Sequence, residues 1–152
     1  MSAGIRLSLE LLSKQAMAYR LAPWTRKIVV PSLSGVGDTV VDRTRQRILD
    51  IIEVLHRQGA PSLHAPSEAL QVVGSEDTAE HVPMDADDAC LFVASCALSI
   101  GIPCRFVARR YNRSWTVRLG YEVTGRWETI DCTRQSADRI PDEEIVGEEL
   151  RG

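Results

Sequence analysis

The chain has 152 residues, of which 44% are hydrophobic, 26% charged and 5% aromatic, the profile of one ordinary folded domain. A chain of this length buries roughly 68 to 70% of the surface its unfolded form exposes, so composition points away from small scaffolds that need disulfide or metal staples. Eighteen Lys and Arg against 21 Asp and Glu leave a formal charge of -3, which argues against a global electrostatic grip on nucleic acid.

The opening MSAGIRLSLELLSKQ carries Arg6, Glu10 and Lys14 inside its apolar stretch, so it reads neither as a signal-peptide core nor as a membrane span. A cytoplasmic setting with no membrane partner is expected. Leu9, Leu12, Ala16 and Tyr19 recur at three- and four-residue steps and predict an amphipathic helix from about Ser8 to Leu21, which Pro23 ends or restarts. After the loop marked by Pro31, Gly35 and Gly37, Asp38 or Thr39 can cap a second helix. Val41, Thr44, Ile48, Ile51, Ile52 and Leu55 line one of its sides, and it ends at Gly59. Three prolines and Gly74 make 60–84 a long loop, with at most a turn of helix near Ser67 to Val72.

Asp85, with Asp88 three residues on, can cap a helix that Gly101 and Pro103 close. It should be apolar almost all round and therefore central. Strands are expected over Arg105 to Arg110, Trp115 to Val123 and Arg126 to Cys132, the last two joined by a tight turn at Thr124-Gly125. Alternation places Val117, Leu119, Tyr121 and Val123 on one side of the middle strand and Thr116, Arg118, Gly120 and Glu122 on the other. The tail from Arg134 is acidic, with a short helix expected around Pro141 to Leu150. The whole is read as a single α+β domain: N-terminal helices over 1–59, a loop over 60–84, a core helix and antiparallel sheet over 85–133, and an acidic tail over 134–152.

Cys90, Cys96, Cys104 and Cys132 show no CxxC pair and no His at ligand spacing, so they read as reduced core thiols. His81, Asp85, Asp87 and Asp88 make a conceivable metal set, outweighed by the simpler reading of a capped, solvated helix start. No metal and no cofactor are expected. Ser95 and Ser99 lack an elbow motif and read as helix filler. His56 falls late on the second helix as a surface cation, and nothing in their spacing marks His64 or His81 as a base. Residues 1–37 carry a balance of +4 and residues 134–152 a balance of -3, an asymmetry that solvated faces explain or that helps copies or partners dock.

The text MDADDACLFVASCALSIGIPCRFVARR, followed by GRWETIDCT, resembles the transglutaminase-like fold of papain-type cysteine enzymes. That family's usual pattern is GDCDDxAxLLxALLxxxGIPxRFV, then HVYVEV, then GRWVPLDPT. The match runs from about Pro66 to Thr133, and PSEAL at Pro66 to Leu70 is most similar to the version found in tailed-phage genomes. The resemblance implies a Cys at a helix N-terminus, a His to take its proton and an Asp to orient the His. These positions fall on Ala86, Thr116 and Asp131, so only the Asp is retained. Two separate losses point to natural loss of catalysis and not to a single engineered replacement.

Cys90, one turn beyond Ala86, is the fallback nucleophile for a residual amidase or acyltransferase, but it lies deeper in an apolar run. With Thr124-Gly125 as the turn, Arg118 stands opposite Asp131 and is expected to take its carboxylate, with Thr116 one diagonal step away. Trp115, Arg118, Asp85, Asp87 and Asp88 are the candidate binding residues of the former groove. The resemblance thus implies an inactive module of a phage virion, in a head, neck or tail. Its partners would be virion proteins or copies of itself, and it would be found in host cytoplasm and then in the particle. The alternative is a regulator that binds peptide or protein in the old groove.

Overall fold

The computed structural model describes residues 2–32, 37–58, 86–133 and 139–152. Among them lie four helices, α1 (Ser2–Tyr19), α2 (Pro23–Ser32), α3 (Val40–Gln58) and α4 (Ala86–Ser99), and four strands, β1 (Cys104–Tyr111), β2 (Ser114–Val123), β3 (Arg126–Ile130) and β4 (Glu143–Val146). The class is α+β. The strands form one antiparallel sheet in the order β3-β2-β1-β4.

Local chemistry sets the boundaries. Pro23 sits at the first position of α2, where its missing N–H costs nothing. The Thr39 hydroxyl accepts the amide of Asp42 at 3.0 Å and so caps α3. At the end of α4, Gly101 adopts φ 85°, and the amides of Gly101 and Ile102 donate back to the carbonyls of Leu98 (3.1 Å) and Ala97 (3.0 Å). That paired return is the Schellman closure, and it turns the chain straight into β1. Thr124 and Gly125 both lie at positive φ, 49° and 83°, as a type I′ hairpin requires, and Leu119 pairs with Ile130 in the register expected from that turn.

The core is built around α4. From Ala89 to Ala94, and again from Cys96 to Leu98, every residue is at most 2% exposed, because α1, α2 and α3 cover one side of the helix and β1 and β2 the other. Phe92 and Phe106 are the largest side chains wholly inside among the described residues. Trp24 stacks on Phe92 at 5.5 Å between ring centroids, and Tyr19 tilts onto Trp24 at 5.9 Å. The sheet offers Phe106, Ala108, Val117, Leu119, Tyr121 and Val123 to this core, the alternation expected for β2.

Two expectations are corrected. The first helix begins at Ser2 instead of near Ser8, since Ile5 and Leu9 already pack inward. The tail holds a strand and not a helix around Pro141 to Leu150. Ile145 is buried opposite Ala108, the amide of Gly147 donates to the carbonyl of Phe106 at 2.8 Å, and Leu150 bridges to Cys104. Glu143 and Glu144, which read as a helix start, instead face Arg110 and Arg109 across the strands. The loop over 60–84, with the turn near Ser67 to Val72 and with His64 and His81, lies outside the described residues. So does Asp85.

Candidate functional site

Ala86 begins α4 and Asp87 and Asp88 occupy its first turn, so acidic side chains meet the positive end of the helix dipole. One turn later Cys90 is fully buried. Its thiol donates to the carbonyl of Val117 at 3.4 Å and lies in hydrogen-bonding reach of the Cys132 thiol. That contact and the burial push the Cys90 thiol well above its ordinary value, and the charges of Asp87 and Asp131 raise it further. A thiol held in this state is protonated at neutral pH and is not a nucleophile.

Asp131 follows the last residue of β3. Its Oδ1 accepts the amide of Thr133 at 2.9 Å and the Thr133 hydroxyl at 2.6 Å, a local turn that positions the carboxylate. The β2–β3 ladder pairs Leu119 with Ile130 and β3 ends there, two residues before the expected Cys132, so Asp131 lies just beyond the strand; Arg118, the next residue of β2, is only 7% exposed.

The pleat sorts the remaining candidates. Trp115 packs with Val117 against the core, on the side of α4. Thr116 and Arg118 lie on the opposite face, where Arg109 reaches over the sheet to the Thr129 hydroxyl at 3.4 Å. The candidate groove residues are thus divided between the two faces of the sheet, with Asp87 and Asp88 on α4. On the outer face Arg109, Arg118, Thr129, Arg139 and Ile140 line a cleft of about 360 Å³. Beside it the Arg105 guanidinium stacks over Trp127 at 4.3 Å, crossing Gly120, where an added Cβ would come within 3.0 Å of the Arg105 stem.

His56 enters this region although sequence spacing gave no sign of it. Its Nε2 lies 2.8 Å from the carbonyl oxygen of Cys132, 76 positions away and next to Asp131. In the middle of β3, Arg45 pairs with Glu128, whose Oε1 also accepts the Tyr121 hydroxyl at 3.0 Å. The Arg45 hydrogen bond holds the Glu128 carboxyl below its ordinary range. α3 therefore ties the middle of β3 and the turn that follows it to the helical layer. Ser95 and Ser99 donate to the carbonyls of Leu91 (2.7 Å) and Cys96 (2.6 Å) within their own helix, in keeping with a filler role. Among the described residues no three His, Cys, Asp or Glu side chains converge as metal ligands, and no helix is long and apolar enough to cross a membrane.

Burial also raises the thiols of Cys96 and Cys104, so with Cys90 three thiols stay protonated in the fold. In the unfolded chain they ionise near pH 8.5. The contribution of these thiols to stability is therefore full below about pH 8.5 and falls as pH rises above it, by about 1.4 kcal/mol per pH unit for each thiol. Melting temperatures from pH 7 to pH 10 should show this slope, and Cys96→Ala should flatten it. An unchanged slope would show that these thiols do not titrate on unfolding.

Compared with known protein families, curated proteins and solved structures, the chain matches none.

Proposed function

We propose that the chain is a catalytically inactive transglutaminase-like domain, kept as a structural and protein-interaction module of a phage-like particle, in its head, neck or tail. One observation carries the loss of catalysis: α4 opens at Ala86, where the resemblance places the nucleophile, and the nearest thiol on that helix is fully buried with its pKa raised. Thr116 supplies no base near neutral pH. A buried helix laid on an antiparallel sheet is compatible with a papain-like core, while the virion role rests on the phage-like text around Pro66 to Leu70. An inactive domain acts through what it touches, and the Arg-lined cleft on the outer sheet face suits carboxylate groups of a partner chain. The same cleft favours the second reading, a regulator that binds an acidic peptide without joining a particle. Chains that co-purify with the protein separate the two readings: virion proteins support the first, and a single soluble partner supports the second.

Hydrolysis and acyl-transfer assays on peptide amides at neutral pH should give no rate above background, because losing a nucleophile alone costs about a millionfold. Cys90→Ala should leave that background unchanged. A measurable rate that Cys90→Ala abolishes would overturn the reading and make the chain a thiol enzyme.

A further inference from the structure

α1 carries two apolar faces, and the core uses only one. Leu9, Leu12, Ala16 and Tyr19 point inward. On the other side Gly4, Leu7, Leu11, Lys14, Ala18 and, in the turn just after the helix, Leu21 are all exposed, with Leu7 at 64%, Leu11 at 56% and Leu21 at 74%. These six positions follow one another at alternating steps of three and four residues, the spacing of the contact seam in a coiled coil. Within α1 the seam, from Gly4 to Ala18, is about 21 Å long at 1.5 Å per residue.

The seam matches itself when reversed. A two-fold axis that lays α1 antiparallel on a second α1 makes three kinds of layer, each occurring twice. Leu21 of one copy falls on Gly4 of the other, Leu7 falls on Ala18, and Leu11 falls on Lys14. Large side chains meet small ones in two of the three, and above Gly4 there is nothing within 4 Å of where a Cβ would be, so a Leu can approach the backbone there. In the central layer the Lys14 stem covers Leu11 of the other copy, and its ammonium comes beside the neighbouring Glu10 carboxylate. A parallel arrangement would instead stack Lys14 on Lys14 and Gly4 on Gly4. We propose that this face of α1 is the interface of an antiparallel homodimer of the chain, and this assignment does not depend on whether the domain has lost catalysis.

Sedimentation velocity on the full chain tests it. The wild type should sediment as a species of twice the 16.9 kDa chain mass. Leu11→Lys sets like charges against each other in both central layers and should raise the dissociation constant at least about tenfold. The double variant Leu11→Lys/Lys14→Glu converts those layers to opposite charges and should restore the dimer. Leu11 and Lys14 are exposed, so circular dichroism and melting should stay at wild-type values and separate a lost interface from a lost fold. A wild type that remains monomeric up to about 1 mM, an assembly of any size that Leu11→Lys leaves intact, or a double variant that stays monomeric would overturn the proposal.

Discussion

Labelling of the four thiols by a small maleimide should be slower in the native protein than in denaturant by at least about a thousandfold. Cys90, Cys96, Cys104 and Cys132 are all fully buried. A reagent therefore reaches them only through opening of the structure, and a domain stable by about 5 kcal/mol or more spends less than one part in a thousand of its time unfolded. The raised thiols of Cys90, Cys96 and Cys104 lower the reactive thiolate fraction further. Mass spectrometry of the labelled chain reads each site. Fast native labelling of Cys90 alone would reveal an accessible thiol at the start of α4 and reopen the case for an enzyme, whereas uniform fast labelling would show a loosely packed core.

Phe92→Ala should cost about 3 to 5 kcal/mol, enough to unfold a protein of ordinary stability at 37 °C. Phe92 is fully buried in the middle of α4, the helix that three others and the sheet cover, and it is stacked by Trp24. Removing the ring leaves a cavity that these elements cannot close together, and Trp24 loses the partner against which it is oriented. Urea unfolding followed by tryptophan fluorescence measures the loss. Phe92→Leu, which keeps most of the volume, should cost about 1.5 kcal/mol or less. Equal costs for the two variants would mean that the site collapses freely and that α4 is not the packing centre.

The parts of the fold that local rules govern were legible in the sequence. α4 showed as an apolar run between a cap and a Gly-x-Pro stop, and the β2–β3 register followed from two turn residues. β4 was hidden because its strand character is not local. Glu143 and Glu144 after Pro141 have the composition of a helix start, and only Arg109, Arg110 and the space for Ile145 beside Ala108 make that segment extended. At the site, the identities of Ala86, Thr116 and Asp131 were readable. The role of His56 was not, since its contact with Cys132 spans 76 positions and arises from how α3 lies on the sheet. The outer apolar stripe of α1 was masked by its inner one, because a helix with apolar residues on two sides shows only weak periodicity.

The place of β4 in the sheet also orders events in time. β1, β2 and β3 form a meander whose turns, at Asn112-Arg113 and Thr124-Gly125, span two residues each, so their contacts close early. β4 can dock only after a loop that encloses the whole meander has closed, and the ion pairs of its Glu143 and Glu144 are partly exposed to water and add little. The strand that joins last is the one that leaves first, and its amides should exchange with solvent ahead of those of β2. Each departure bares the edge of β1 while the rest of the domain stays folded. Strand exchange between molecules is then governed by the lifetime of this one short strand and not by the rate at which the whole protein unfolds.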